Sequence, residues 1–165
     1  MMTDDGRAAR RRARRAPDLR CRAGAPRPAR GPAAAGPDGS AFRIEEDGGF
    51  GVAVLRAGGD TAVAAVYGEI DLRTADALRG RLIELHAAGH RNLVVDFAGV
   101  AFCDAAGLGA LVAAHNRAAA AGGGVRLAGV RPPQRRLLRV TGLHRVFGLY
   151  DGVEDALAAA AAAAR

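Results

Sequence analysis

The sequence Asp104-Ala105-Ala106-Gly107-Leu108 follows an apolar stretch at residues 93–97 and precedes a helix-like stretch at residues 111–121. This order predicts a buried strand, a tight turn and then a helix whose first turn faces solvent. Asp104 stands at the junction, where a short acceptor can satisfy one of the free amides of the first helical turn. Gly107 either lets a partner backbone approach or relieves crowding at the turn, and Leu108 is expected in the core.

The rest of the sequence from about residue 42 alternates between strand-like and helix-like segments. Short apolar or alternating runs predict five strands, at residues 52–56, 62–70, 93–97, 125–130 and 146–150. A turn at Asp47-Gly48-Gly49 precedes the first strand, and Gly58-Gly59-Asp60 joins the first two strands as a hairpin.

Four helix-like segments complete this pattern, and each has a recognisable start or stop. The expected boundary residues are Thr74 and Gly89 for the first helix, Asp104 and residues 122–124 for the second, Pro132 and Gly142 for the third, and Asp151, with Glu154 three residues later, for the start of the fourth. About five strands and about four helices in mixed order predict an α/β sandwich. Its central mixed sheet would carry the helices mainly on one face.

The positive charge of the chain lies in its first part. Of the 165 residues, which carry a net charge of +7, residues 1–40 contain ten Arg and four Asp, whereas residues 41–165 contain fourteen Arg and thirteen Asp or Glu. The first part is rich in Ala, Gly and Pro without periodicity, so residues 1–41 are expected to be a disordered tail and residues 42–165 the folded domain. An arginine-rich stretch at residues 7–15 could neutralise phosphates, which leaves nucleic-acid binding as a minor alternative.

Membrane insertion, disulfides and metals have little support in the sequence. The longest apolar run, residues 156–164, is shorter than the roughly 20 residues that a membrane span needs, and no apolar leader follows the basic start. Cys21 and Cys103 provide no disulfide framework, which favours a reducing cytoplasm. His86 and His90 lie four residues apart but are separated by Gly89 and lack a third ligand, so no metal site is expected.

Candidates for catalysis or cofactor binding are equally weak. Cys103 is expected to be a buried, inert thiol, because no histidine lies near it in sequence. Gly107-x-Gly109 and residues 122–124 are followed by no lysine, so neither is a phosphate-binding loop. The sequence therefore predicts a protein that is not an enzyme and has no cofactor.

Four segments together resemble STAS domains, the sulfate-transporter and anti-sigma-factor-antagonist family. They are Gly68-Glu69-Ile70-Asp71-Leu72, Asp96-Phe97-Ala98-Gly99-Val100, Asp104-Ala105-Ala106-Gly107-Leu108, and Thr141-Gly142-Leu143 followed by Val146-Phe147. Each segment is weak alone, but the four occur in the family's order and spacing. The resemblance covers nearly all of residues 48–160 and implies the STAS fold.

The resemblance also implies a function and a switch. In regulatory members the corner reads Asp-Ser-Ser-Gly-Leu and the second serine is phosphorylated, whereas Ala105 and Ala106 stand at the serine positions here. The implied role is an anti-sigma factor antagonist that binds an anti-sigma factor of the histidine-kinase-like ATPase type and frees a sigma factor. The family pattern suggests a monomer that enters heteromeric complexes. The implied partner-binding residues are Asp71, Asp104, Ala105, Ala106, Gly107, Leu108 and Gly109.

Two alternatives remain open at this point. Loss of both serines also suits a STAS module that acts as a scaffold in a sensory or transport complex, without a direct role in sigma-factor release. Asp71, in turn, either belongs to the partner-facing edge or caps the helix that begins near residues 72–74. Since alanine at position 106 is small, uncharged and unable to accept phosphate, the antagonist hypothesis predicts a protein that stays in the binding-competent state.

Overall fold

The computed structural model describes residues 44–46 and 49–165, so the predicted tail, its arginine-rich stretch and the boundary near residue 42 lie outside the described residues. The described part contains six strands and four α-helices, which alternate from the third strand onwards. In chain order they are β1 (Ile44–Glu46), β2 (Phe50–Gly58), β3 (Thr61–Ile70), α1 (Ala75–Ala87), β4 (Asn92–Cys103), α2 (Ala105–Ala120), β5 (Gly124–Ala128), α3 (Pro132–Val140), β6 (Gly148–Tyr150) and α4 (Val153–Ala163). A 3-10 turn, Leu143–Arg145, separates α3 from β6.

The six strands form one mixed sheet in which spatial order equals chain order, from β1 to β6. β1, β2 and β3 pair antiparallel, while β3, β4, β5 and β6 are parallel neighbours. Each parallel pair needs a crossover, and α1, α2 and α3 supply the three connections. Because the strand order advances steadily, crossovers of one hand place these three helices on the same face of the sheet.

Most of the core lies between that face and its helices. Leu78 and Leu82 of α1, Leu111 of α2 and Leu138 of α3 pack with the alternate β4 residues 93, 95 and 97 in one cluster of buried residues. The leucine spacing that predicted α1 is therefore the spacing that buries one side of this helix. The α/β class and the mixed sheet predicted from the sequence are confirmed.

The opposite face of the sheet is covered by the terminal helix. Ala156 of α4 packs against Val63, Val94 and Ala128, which form a second, smaller cluster of buried residues. The small alanine side chains allow α4 to approach the sheet closely, and they carry no periodic pattern that would indicate a face. The expectation that the helices lie mainly on one face is met by three of the four, and α4 is the exception.

Three local expectations were inaccurate. β1 has no counterpart among the predicted strands, and β4 extends to Cys103 rather than ending at Phe97. The second half of β4 was missed because residues 98, 99, 101 and 102 are exposed, so the sequence there shows no continuous apolar run. Asp151 does not cap α4 as predicted, because Gly152 occupies the N-cap position and no side chain makes a cap bond there.

Candidate partner-binding site

The residues predicted to bind a partner lie where two neighbouring parallel strands end. Ile70 of β3 is in register with Cys103 of β4, and the Asp104 amide donates to the Ile70 carbonyl at 3.0 Å. Asp71 and Asp104, each one residue beyond its strand, are therefore neighbours at one edge of the sheet. The structure brings together two sites that are 33 residues apart in the sequence.

Asp104 caps α2 as the sequence predicted. Its backbone is extended, and its carboxylate accepts a hydrogen bond of 3.0 Å from the Gly107 amide. Its carbonyl accepts the first bond of the helix, from the Leu108 amide at 3.1 Å. One free amide of the first turn is thus satisfied by the residue that begins it, which is the usual function of aspartate at an N-cap.

Gly107 and Leu108 belong to the interior of this corner. A Cβ atom at position 107 would lie 2.6 Å from Cγ2 of Ile70 and 2.8 Å from Sγ of Cys103, so only glycine fits without a shift of its neighbours. Leu108 is buried, with 6% of its surface exposed. Of the two roles considered for Gly107, the structure supports relief of crowding. Because both residues are covered, neither presents surface to a partner.

Ala105, Ala106 and Gly109 differ in exposure although they share the first turns of α2. Ala105 and Gly109 are exposed, whereas Ala106 is half-buried and packs against the main core. The sequence predicted that the first turn of this helix faces solvent, which holds for Ala105 but only in part for Ala106, because Ala106 lies towards α1. Ala106 instead lines a shallow groove between the two helices, together with Leu72, Ala75, Asp76, Arg79, Gly109 and Ala110.

Asp71 organises the turn that precedes α1. One of its oxygens accepts from the Arg73 amide at 2.8 Å and the Thr74 amide at 3.3 Å, and the other accepts from the Arg73 guanidinium at 3.1 Å. These bonds, led by that of the Arg73 amide, hold the pKa of the Asp71 carboxyl below its usual value of 3.8. Asp71 therefore caps the turn rather than the helix, which begins at Ala75.

Thr74 has a different role from the one predicted. It occupies the N-cap position of α1, but its side chain makes no cap bond there. Its hydroxyl donates to the Glu69 carbonyl at 2.9 Å and accepts from the Asp71 amide at 3.0 Å, and the residue is 7% exposed. The buried hydroxyl thus ties the turn back to β3.

Two exposed apolar side chains next to the aspartates were missed by the sequence reasoning. Leu72 is 79% exposed directly after Asp71, and Phe102 is 50% exposed two residues before Asp104. Leucine and phenylalanine within or beside strand-like segments usually indicate core, so the sequence carried no signal that these two face solvent. Single exposed apolar side chains are common on protein surfaces, so the relevance of Leu72 comes from its place in the lining of the groove.

The other reactive side chains are engaged in the structure. Burial, with a smaller contribution from the charge of Asp104, raises the pKa of the Cys103 thiol to about 12, which keeps it protonated and unreactive. His86 and His90 each place Nδ1 against a backbone carbonyl, at 3.3 and 2.9 Å. Within residues 44–46 and 49–165, no group of three or more His, Cys, Asp or Glu is arranged to hold a metal ion.

The helices of the described residues also bear on membrane association. Across the part of the chain that the structure describes, none of the helices combines the length and apolar character that a membrane crossing requires. The longest of them, α2, has 16 residues.

A mixed sheet with helices on both faces, whose parallel strands β3 and β4 end in adjacent aspartate-bearing turns, makes this an α/β sandwich domain with a candidate binding groove at one edge of the sheet. Residues 53–151 match the family model described as "Mlab, STAS domain". Because this match spans more than half of the chain, the chain belongs to the STAS domain family. The resemblance inferred from the four sequence segments is thereby confirmed.

Individual relatives have more specific names. The chain is 28% identical over 96 residues to a protein from Paenibacillus polymyxa named anti-sigma F factor antagonist, in an alignment that covers 58% of this chain and 82% of that protein. It is also similar to the crystal structure of an anti-sigma factor antagonist from Mycobacterium paratuberculosis, with a TM-score of 0.60, 29% identity and coverage of 71% and 98%.

A sulfate transporter family protein from Wolinella succinogenes has a similar fold as well. The TM-score is 0.57 at 21% identity, and the alignment covers 66% of this chain and 91% of that chain. At this level of identity the likeness concerns the fold alone.

Proposed function

We propose that this protein is an anti-sigma factor antagonist. It binds an anti-sigma factor of the histidine-kinase-like ATPase type in the cytoplasm, and this binding releases a sigma factor and so regulates transcription. The groove beside the Asp104 corner carries the proposal, because Ala106 and Gly109 leave it open while Leu72 offers an exposed apolar contact. The names of the two antagonist relatives support the same role.

The proposed contact surface, here called the corner surface, consists of Asp71, Leu72, Ala105, Ala106 and Gly109. Its charges are largely compensated, since Asp71 is paired with Arg73, and at the edge of the groove Asp76 is paired with Arg79, both at 3.1 Å. A neutral surface with small side chains and one exposed leucine suits a partner that also presents neutral or apolar groups.

Three residues of the expected set act indirectly in this proposal. Asp104 fixes the start of α2 by its bond to the Gly107 amide. Gly107 and Leu108 pack the helix against the strand ends. These residues position the corner surface and make no direct contact with the partner.

We further propose that this antagonist is not switched by phosphorylation at the corner. A phosphate would add nearly two negative charges there, and a partner surface built for a small neutral group would reject them. Ala105 and Ala106 have no hydroxyl, and the nearby hydroxyl of Thr74 is buried and hydrogen-bonded to Glu69. The whole sequence has a single serine, Ser40, so few acceptor groups remain.

Binding of the anti-sigma factor from the same organism tests the corner surface. Calorimetry should give a dissociation constant that rises at least about tenfold for Ala106→Asp, because the new charge is desolvated at the contact. Ala119→Asp is the matched control, since it places the same charge on an exposed position in the last turn of the same helix. An Ala106→Asp protein that binds as tightly as the unmodified protein would show that the corner surface is misplaced.

A kinase assay tests the absence of the switch. The unmodified protein, incubated with the anti-sigma factor and labelled ATP, should take up no phosphate, whereas Ala106→Ser should be labelled. The labelled Ala106→Ser protein should then bind the partner more weakly than its unlabelled form, because the phosphate charge enters the contact. Labelling of the unmodified protein at any residue would refute the unswitched state.

A scaffold subunit of a sensory or transport complex is the second candidate function. The alanines at positions 105 and 106 favour it, because a scaffold needs no phosphorylatable serine at the corner. Affinity purification from the native cell followed by mass spectrometry separates the two candidates. Recovery of transport or sensory subunits without any anti-sigma factor would favour the scaffold, and recovery of the anti-sigma factor would favour the antagonist.

A further inference from the structure

The charges of residues 44–150 divide sharply between two segments. Residues 105–150 contain seven Arg and not one Asp or Glu. Residues 44–104 contain ten Asp or Glu and five Arg. Since chain order equals strand order, the acid-free segment builds the β5–β6 side of the sheet together with α2 and α3.

The arginines of this acid-free segment are concentrated on one helix. α3 is fixed to the sheet by two inward residues, Leu138, which is 1% exposed, and Gln134, whose amide donates to the Val100 carbonyl at 3.2 Å. The opposite side of α3 carries Arg136 and Arg139, both exposed and three positions apart, so they are neighbours on one face. Arg145 is exposed in the 3-10 turn that packs next to α3.

These three arginines differ from most others in the structure. Within the described residues, Arg56, Arg73, Arg79, Arg81, Arg91 and Arg135 each form an ion pair with a carboxylate. The side chains of Arg136, Arg139 and Arg145 form no ion pair or hydrogen bond in the same part of the chain. Like charges three positions apart on a helix disfavour it, so the fold tolerates an uncompensated cluster here.

Two exposed valines lie among the unpaired arginines. Val140, the last residue of α3, is 79% exposed, and Val146, directly after Arg145, is 41% exposed. Here "the α3 surface" denotes Arg136, Arg139, Val140, Arg145 and Val146. It combines positive charge with apolar area, and it requires a partner that offers both carboxylates and apolar side chains.

We propose that the α3 surface binds an acidic, amphipathic segment of a partner protein, independently of the corner surface. Arginine is enriched at protein interfaces because its planar group pairs with carboxylates in two-point contacts and also packs on apolar side chains. The valines favour a protein over nucleic acid, since contacts to phosphates need no exposed aliphatic side chains.

Two occupants from this chain are less suitable. The first 40 residues carry ten Arg and four Asp, so their charge repels the α3 surface. A second copy would have to offer its own carboxylates. In the described part, however, six of them are already paired with arginines, namely Asp60, Asp71, Asp76, Glu84, Asp151 and Glu154.

The α3 surface lies away from the corner surface. The first turn of α3 lies next to Val100, in the second half of β4. The chain then returns towards the start of the parallel strands, and Val146 lies two residues before β6 begins. The end of α3 and Arg145 are therefore near the edge where the parallel strands start, while the corner surface is where β3 and β4 end. A partner can occupy each site at the same time.

Titration of the full-length protein with a synthetic peptide tests this proposal. The probe is an amphipathic helical peptide of about 16 residues built from Glu and Leu, and its counterpart with Gln in place of Glu is the peptide control. Fluorescence anisotropy should show binding of the Glu peptide that weakens with added salt and falls at least about fivefold in the double variant R136Q/R139Q. Val140→Ser should also weaken it.

Two protein controls make the result specific. R56Q/R165Q removes the same charge from exposed positions outside the α3 surface and should change the peptide affinity by less than about twofold. Ala106→Asp should leave the peptide affinity unchanged, so this test and that of the corner surface fail separately. Equal binding of the Gln peptide, or an equal loss in R56Q/R165Q, would overturn the proposal.

Other occupants have their own signatures, each of which would also overturn it. Nucleic acid or membrane as the occupant would be indicated if duplex DNA, or vesicles containing phosphatidylserine, bound more tightly than the Glu peptide and if that binding required Arg136 and Arg139. A second copy would give self-association in sedimentation runs that R136Q/R139Q abolishes. Circular dichroism of the arginine and Val140 variants should match the unmodified protein, because all of their substituted positions are exposed. The spectrum of Ala106→Asp is recorded as well, because Ala106 is half-buried in the groove.

Discussion

Asp71 and Asp104 hold equivalent positions, each one residue beyond the end of a parallel strand, yet the two corners are built differently. After Asp104 the helix starts at once, and Gly107 and Leu108 are buried against the strand ends. After Asp71 a turn intervenes, in which Arg73 and Leu72 face solvent and polar bonds hold the backbone. The first corner depends on packing, and the second depends on hydrogen bonds, those of Asp71 at the surface and those of the buried Thr74 hydroxyl beneath it.

This difference assigns separate roles to the two corners. The packed corner around Asp104 fixes the position of α2 and hence of Ala106 in the groove. The hydrogen-bonded corner around Asp71 contributes exposed groups to the same groove and contributes less to the core. Substitutions at the first corner should therefore affect stability strongly, whereas those of the solvent-facing residues at the second should affect it weakly.

The largest effect is expected for Gly107→Ala. The new Cβ would approach Ile70 and Cys103 to within 2.6 and 2.8 Å, so the helix or the strand ends must shift. Overpacking of this kind costs about 1–3 kcal/mol, which exceeds the gain of up to about 1 kcal/mol from replacing glycine within a helix. Urea unfolding should show a net loss of stability.

Gly109→Ala is the matched control for that prediction. It is the same substitution two residues further along α2, at an exposed position where no atom lies within 4 Å of the added Cβ. Only the higher helix propensity of alanine applies here, so the free energy of unfolding should rise by up to about 1 kcal/mol. If Gly107→Ala gains stability as Gly109→Ala does, the corner at Asp104 is less tightly packed than its geometry indicates.

An intermediate effect is expected for Asp104→Ala. The substitution removes the acceptor of the Gly107 amide, and loss of an N-cap of this type costs about 0.5–2 kcal/mol. Asp104→Asn retains an acceptor oxygen and should lose only part of this amount. Thermal unfolding of the three proteins measures the order, and an alanine variant as stable as the unmodified protein would exclude a stabilising cap.

The packed corner was also the better predicted of the two. Asp104, the small residues after it and Leu108 form a local pattern in which cap, turn and helix follow one another within five residues. That pattern was sufficient to predict the strand, the cap and the start of α2. Local hydrogen bonding and helix propensity act over this short range, so they can be recognised in a single segment.

The other corner depended on tertiary contacts that a single segment does not reveal. Thr74 was assigned as a helix cap because its residue type suits that role, but its hydroxyl bonds to Glu69 in the preceding strand. At the packed corner the same limit applies to Ala106, which was expected to face solvent but is half-buried because α2 packs beside α1. The exposure of Leu72 was missed for the same reason, since its type alone indicates core.

The smallest effect is expected at Asp71, and it should appear as a pH dependence. The hydrogen bonds from Arg73, led by that of its amide, keep the pKa of Asp71 below 3.8 in the folded protein, so the folded state holds this proton less tightly than the unfolded chain does. The stability that Asp71 contributes is therefore fully present above pH 3.8 and is lost as the pH falls through the lowered pKa. The stability difference between the unmodified protein and Asp71→Asn should shrink on acidification.

Urea unfolding at a series of pH values from neutral to about 3 measures this difference. Arg73→Ala sharpens the test, because it removes the guanidinium but keeps the backbone amide that makes the 2.8 Å bond to Asp71. Part of the pH dependence should therefore persist in Arg73→Ala and disappear only in Asp71→Asn. A stability difference that grows as the pH falls would mean that the folded state favours the protonated carboxyl, and the account of the hydrogen-bonded corner would then be wrong.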